Sequence, residues 1–174
     1  NAWKTTLNVP LPPGTGDEEI HYLLEDWIMP RIQEFQPEII INSAGQDNHF
    51  TDPLASMAVT ARGYGRINEI INPDLAVLEG GYSIEGALPY VNLAIVLALA
   101  GEDYSGVVEP QEPPYTSSNL NAFKGFLQEQ KQQYQLVKPE WNIREEKHMP
   151  GGKWSYYSHS VFYDTEGFRE IRKD

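Results

Sequence analysis

The amino-acid sequence predicts an α/β fold built around a parallel sheet. Two short apolar segments, residues 38–43 and 75–79, have the composition of strands that are buried on both faces. Segments with apolar residues at helical spacing precede and follow these strands, so helices and strands alternate along the chain. This alternation predicts parallel strands joined by right-handed crossovers.

The first predicted helix covers residues 17–34. Residues 7–16 are rich in proline and glycine and predict a loop, and the acidic residues that follow favour a helix start. Pro37 is expected to end the helix. Its apolar residues recur at three- and four-residue spacing and predict one buried face, formed by Ile20, Leu23, Leu24, Trp27, Ile28 and Ile32.

The next two predicted helices come before and after the second strand along the chain. Thr60 is expected to cap a helix that runs to about Ile71. Residues 84–100 predict another helix, which Gly101 ends.

A change in composition after Gly101 predicts a boundary between residues 1–101, the α/β part, and an extension formed by residues 102–174. The extension begins with a proline-rich linker. Residues 120–136 predict a surface helix with a narrow apolar stripe, and aromatic residues on both sides of Gly167 predict a β-hairpin.

The composition excludes several classes of function and site. The formal net charge of -12, from 13 basic and 25 acidic residues, argues against nucleic-acid binding through a broad basic patch. No apolar run is long enough to cross a bilayer, and no secretory signal is recognisable, so a cytoplasmic location is expected. The chain has no cysteine, and any metal site must therefore use His, Asp or Glu.

The loops that follow the two predicted strands are the candidate functional site. Ligands of open α/β sheets bind beyond the carboxyl ends of the parallel strands. The first loop offers Asp47, His49 and Asp52, and the second contains two glycines followed by Tyr82.

Three successive segments resemble motifs of the histone deacetylase family, which includes acetoin-utilisation proteins and acetylpolyamine amidohydrolases. The segments are NVPLPPGTGD at residues 8–17, SAGQD at residues 43–47 with DPL at residues 52–54, and LEGGY at residues 78–82. The resemblance covers residues 8–101. It implies the C-terminal part of the three-layer, parallel-sheet fold of the arginase and deacetylase type.

The resemblance implies a zinc-dependent amidohydrolase that removes acyl groups from lysine or polyamine amines by means of a metal-activated water. Asp47 corresponds to a zinc ligand, and Tyr82 to the catalytic tyrosine that stabilises the oxyanion. Gly80 and Gly81 correspond to positions where the backbone approaches the substrate, and Pro12 to a residue that lines the substrate channel.

Ordinary structural interpretations exist for Asp47, Tyr82 and His49. An Asp that follows a strand, such as Asp47, is often a turn former, and a tyrosine such as Tyr82 is often a half-buried packing residue. For His49 the sequence favours a loop-stabilising role over metal ligation. The remaining histidines are expected to be solvated or to pack, and they are His21, His148 and His159.

The family carries an Asp-x-His ligand motif and a pair of adjacent histidines upstream of the PPGTG loop, and this chain does not contain them there. We therefore expect the isolated chain to bind zinc weakly or not at all and to lack activity, because one carboxylate does not make a zinc site. Gln46 stands where the family usually has an aromatic residue, which bears on substrate preference.

A partial parallel sheet is expected to expose an apolar face and an open edge. We therefore expect self-association or contact with the missing N-terminal half of the domain. This expectation leaves open an alternative function, a non-catalytic assembly or interaction module derived from the deacetylase fold.

Overall fold

The computed structural model describes residues 7–113 and 119–136. Residues Leu11–Leu127 form one compact unit, and Asn1–Pro10 with Gln128–Asp174 form another. In the second unit the described residues are 7–10 and 128–136, the latter helical. The elements in chain order are α1 (Asp17–Leu23), a π-helical segment (Leu24–Ile28), α2 (Met29–Phe35), β1 (Ile41–Ala44), α3 (Ala61–Ile71), β2 (Leu75–Leu78), α4 (Leu88–Leu99) and α5 (Leu120–Leu136).

The first predicted helix is confirmed, although it contains a π-helical segment between α1 and α2. The backbone N–H of Gly16 donates to the Glu19 carboxylate at 3.1 Å, which satisfies a free donor at the helix start. The helix ends at Phe35 because Gln36 adopts a left-handed conformation, with φ of 52°. Four of the six predicted apolar positions are buried, and they are Ile20, Leu23, Leu24 and Trp27.

The predicted start of α3 is also confirmed. The Thr60 hydroxyl oxygen accepts a hydrogen bond from the Gly63 N–H at 3.0 Å, as expected of a helix cap. The Asp17 carboxylate in turn accepts hydrogen bonds from the Thr60 N–H at 2.8 Å and from its hydroxyl at 2.6 Å. The start of α1 is thus fixed directly to the start of α3.

The two strands pair in parallel, with Ile41 opposite Leu75 and Ser43 opposite Val77. On one face of this sheet, Asn42 donates from its amide nitrogen to the Asn68 side chain of α3 at 2.9 Å. The opposite face is not covered by described residues: Ile41 is 61% exposed and Val77 46%. The prediction that these strands are buried on both faces is therefore wrong for the described part of the chain, because the helices pack on one face alone.

The core lies between the covered face of the sheet and helices α3 and α4. Helix α4 begins at Leu88, four residues later than predicted, because Ser83 accepts the N–H groups of Ala87 and Leu88 in a preceding turn. Val107, in the segment after α4, also belongs to this core.

The predicted helix over residues 120–136 is confirmed as α5, in which Phe123 and Leu127 are buried. The predicted β-hairpin lies outside the described residues. The three-layer arrangement and the boundary after Gly101 stay predictions. Among the residues that the structure describes, no helix is both long and apolar enough to span a membrane.

Candidate active site

The loop that follows β1 carries Asp47 in a pair of tight turns. The His49 N–H donates to the Gln46 carbonyl at 3.2 Å, and the Asp52 N–H donates to the His49 carbonyl at 2.8 Å. These turns hold residues 46–52 close to the carboxyl end of the strand. A loop backbone held this way has a defined position at the carboxyl end of the strand, which is where ligands of open α/β sheets bind.

The loop that follows β2 touches the Asp47 loop through its two glycines. Gly80 and Gly81 have φ of 77° and 110°, a backbone conformation that favours glycine. A Cβ atom on Gly80 would lie 3.4 Å from Asp47 Oδ2, and one on Gly81 would lie 2.9 Å from the Cβ of Gln46. The structure therefore brings together Asp47, Gly80 and Gly81, as the parallel-strand argument predicts.

Tyr82 follows directly and is 53% exposed. Its backbone N–H donates to Asp52 Oδ2 at 2.7 Å, and Asp52 Oδ1 accepts the N–H of Leu54 at 2.9 Å. Asp52 is itself buried. The first loop thus holds the backbone of Tyr82 through a buried carboxylate, while the ring of Tyr82 remains accessible.

His49 is fully buried, and both of its ring nitrogens have protein partners. Nε2 lies 2.8 Å from Glu109 Oε1, and Nδ1 lies 2.9 Å from the Thr51 hydroxyl oxygen. These contacts agree with the loop-stabilising role favoured for His49. His21 contacts the Gly63 carbonyl at 3.0 Å, and His148 and His159 lie outside the described residues.

Pro12 lies in the loop before α1. The Thr15 hydroxyl donates to the Pro12 carbonyl at 2.6 Å, and Gly14 donates to the Ser56 carbonyl at 2.6 Å. The loop is therefore fixed beside the segment that follows the Asp47 loop. No hydrogen bond among the described residues joins Pro12 to Asp47 or Tyr82.

Gln46, the departure from the family motif, is buried and directed toward α4. Its amide nitrogen donates to the Asn92 side chain at 2.6 Å. Its amide oxygen is buried without a hydrogen-bond partner among the described residues. The difference from the family therefore affects packing beneath the loop, in addition to any effect on substrate preference.

Burial is the main cause that raises the pKa of Tyr64 above its usual range, and the negative charge of Asp47 and Asp52 contributes in the same direction. Tyr64 is therefore neutral at physiological pH.

The described residues do not form a zinc site by themselves. Nowhere in residues 7–113 and 119–136 do three His, Asp or Glu side chains come together in a way that could hold a metal ion. A catalytic zinc needs three protein ligands, and Asp47 could provide one of them.

Two residues of this region had no predicted role. Asp52 is part of a recognised motif, but its bond to Tyr82 joins residues 30 apart in sequence. Glu109 lies in the proline-rich segment, 60 residues from His49, and no local signal marks it. The burial of an acidic residue in such a segment depends on long-range contacts, so the sequence does not predict it.

The sequence model of the histone deacetylase domain matches residues 1–98. A probable deacetylase of Archaeoglobus fulgidus is 42% identical over 161 residues, which cover 87% of this chain and 42% of the relative. An acetylpolyamine amidohydrolase of Burkholderia pseudomallei is 32% identical over 83 residues, covering 45% of this chain and 24% of the relative. The chain spans less than half the length of these relatives.

Solved structures give the same picture of the fold. The HDA15 HD domain has a TM-score of 0.57 at 26% identity, over 75% of this chain and 36% of that chain. The histone deacetylase Clr3 has a TM-score of 0.59 at 22% identity, over 95% of this chain and 27% of that chain. The predicted deacetylase-type fold is therefore confirmed, and the chain belongs to the histone deacetylase family.

Proposed function

We propose that the complete protein is a zinc-dependent deacylase in which Asp47 is one of the zinc ligands and Tyr82 is the catalytic tyrosine. One observation carries this proposal. The two motif loops meet at the carboxyl ends of β1 and β2, where a Cβ on Gly80 would approach Asp47 Oδ2 to 3.4 Å. Tyr82 follows two residues later, more than half exposed.

The role proposed for Tyr82 is electrostatic. Its hydroxyl donates a hydrogen bond to the acyl oxygen as negative charge develops there. Asp52 accepts the backbone N–H of Tyr82 at 2.7 Å, so the backbone that carries the ring is held before the substrate arrives. Losing one such donor typically costs about 3 kcal/mol of transition-state stabilisation, which is roughly a hundredfold in rate.

Zinc at such a site supplies a Lewis acid and lowers the pKa of water. Of the residues in this chain, Asp47 provides a single carboxylate oxygen donor. We propose that the other ligands and a histidine pair come from parts of the protein outside this chain. On this proposal the isolated chain binds zinc weakly or not at all and does not turn over.

One face of the β1–β2 sheet is not covered by any described residue, and this supports the same proposal. Leu75 is 51% exposed and lies beside Ile41, which is 61% exposed, although parallel strands in α/β proteins are covered on both faces. The matched relatives are more than twice as long as the region they share with this chain. We propose that the remainder of the deacetylase domain covers this face and that the isolated chain self-associates through it.

The proposed substrate is an acylated amine, either acetyl-lysine or an acetylated polyamine. A relative named as an acetylpolyamine amidohydrolase supports the second choice. The formal charge of -12 favours substrates that carry other positive charges.

The test is zinc content and hydrolysis of a fluorogenic acetyl-lysine peptide and of acetylated polyamines. Both are measured on this chain and on the protein from the complete reading frame. The complete protein is expected to bind about one zinc and to turn over, and Tyr82→Phe to reduce kcat roughly a hundredfold. Tyr104→Phe is the matched control, because the Tyr104 hydroxyl donates to Glu69 on the surface. A zinc-free, inert complete protein would contradict the proposal.

The alternative function is a non-catalytic assembly module. The exposed apolar face formed by Ile41, Leu75 and Val77 favours it, since such patches often mark interaction surfaces. A module would bind a partner without zinc, and Tyr82→Phe would leave that binding unchanged. An enzyme would instead gain zinc and activity when the upstream sequence is restored.

A further inference from the structure

Glu109 lies beyond the residues that the family model matches, yet its carboxylate reaches the candidate site. The side chain is 8% exposed and its partner His49 is 0% exposed. Oε1 lies 2.8 Å from His49 Nε2 and also accepts the N–H of Ala61, the first residue of α3. Burying a carboxylate costs free energy unless hydrogen-bond donors compensate for the lost water. His49 and Ala61 provide two such donors to Glu109.

The bonds around His49 define its tautomer. The Thr51 N–H donates to His49 Nδ1 at 3.2 Å, so Nδ1 is an acceptor and the ring proton is on Nε2. His49 Nε2 therefore donates to Glu109.

The same chain of bonds continues to the tyrosine loop. The Thr51 hydroxyl lies 2.9 Å from His49 Nδ1 and 2.7 Å from the Ser83 hydroxyl. Since Nδ1 is an acceptor, the Thr51 hydroxyl donates to it and accepts from Ser83. Ser83 is the neighbour of Tyr82. The chain therefore links Glu109 through His49 and Thr51 to Ser83, and its three hydrogen bonds are all donated in the same direction, from Ser83 toward Glu109.

We propose that Glu109 is a positioning residue that sets the Tyr82 loop relative to the Asp47 loop through His49, Thr51 and Ser83. This inference rests on the proposed function, since it assigns Glu109 a role at that same site. Asp52, which lies in the Asp47 loop, accepts the backbone N–H of Tyr82 and forms a second connection between the two loops. The two connections reach neighbouring residues, and removing the Glu109 connection leaves the Tyr82 loop with one fewer constraint.

The first experiment measures amide hydrogen exchange in this chain, with no need for activity. Glu109→Leu removes the acceptor, and Glu109→Gln keeps an oxygen that can accept from both His49 and Ala61. Glu112→Leu is the control, an exposed residue of the same segment. Glu109→Leu is expected to speed exchange of the Tyr82 and Leu88 amides at least tenfold while leaving Val91 within twofold. Equal acceleration at all three amides would overturn the proposal, because it indicates a loss of global stability.

The second experiment is a double-mutant cycle in the complete, zinc-loaded protein. Glu109→Leu is expected to lower kcat at least tenfold with KM changed less than twofold, and Glu109→Gln to restore most of the loss. In a Tyr82→Phe background, Glu109→Leu should have less than a twofold effect, because the group it positions is gone. Effects that multiply would overturn the proposal. If the complete protein is inert, the proposed function fails, and the exchange result alone decides whether Glu109 positions the Tyr82 loop.

Discussion

Asp52→Asn tests whether a buried carboxylate fixes the backbone of Tyr82. In the native chain Asp52 Oδ2 accepts the Tyr82 N–H at 2.7 Å and Oδ1 accepts the Leu54 N–H at 2.9 Å. An Asn at this position has one oxygen and one NH₂ group, so only one of the two N–H groups keeps an acceptor. The other N–H then faces a donor in a site with little access to water.

The expected magnitude follows from the kind of bond that is lost. Hydrogen bonds to charged groups contribute about 1.5–3 kcal/mol, and Asp52 is only 7% exposed, so little solvent compensates. We expect the free energy of unfolding in urea to fall by about 2 kcal/mol. The free energy of the local opening that exposes the Tyr82 amide falls by the same amount, which predicts roughly 30-fold faster exchange of that amide.

Asp74→Asn is the matched control for this measurement. Asp74 also accepts a backbone N–H, from Ile40 at 2.8 Å, but the bond is exposed. The oxygen that the substituted side chain retains can still accept this one N–H, and water reaches the exposed bond, so we expect a much smaller change in unfolding free energy. Equal losses in the two variants, or an unchanged Tyr82 exchange rate in Asp52→Asn, would refute the reasoning.

Two further predictions concern packing and association. Gly63→Ala should lower the unfolding free energy by about 2 kcal/mol, because the added Cβ overlaps the Asp17 carboxylate. Gly125→Ala is the control: nothing lies within 4 Å of the added Cβ, and the change should raise the unfolding free energy by up to about 1 kcal/mol. Thermal unfolding in which the melting temperatures of both variants shift in the same direction would contradict this prediction. Ile41→Glu should reduce self-association in light scattering, whereas Leu54→Glu, 70% exposed and outside the sheet, should not.

The sequence predicts those elements of the fold that local signals determine. Thr60 marks the start of α3 because its hydroxyl caps the first turn, and this signal needs only three residues of context. The exposure of Ile41 could not be predicted in this way, because an apolar strand sequence has the same composition whether or not a second layer of helices covers it. Burial depends on what else is packed against the strand.

The candidate site shows the same division. The meeting of the Asp47 and Gly80 loops follows from the parallel arrangement of two strands. The roles of Asp52 and Glu109 depend on contacts between residues 30 and 60 apart in sequence, which no local pattern encodes. Whether Asp47 binds zinc and Tyr82 acts in catalysis stays a prediction from the family motifs.

The start of α3 gathers carboxylates from two distant parts of the chain, and this arrangement constrains the order of folding. Asp17 is 43 residues from Thr60, and Glu109 is 48 residues from Ala61. Closing loops of this length costs entropy before the hydrogen bonds form. Residues 60–63 should therefore have low φ-values even though α3 has its own cap, and destabilising changes there should speed unfolding more than they slow folding.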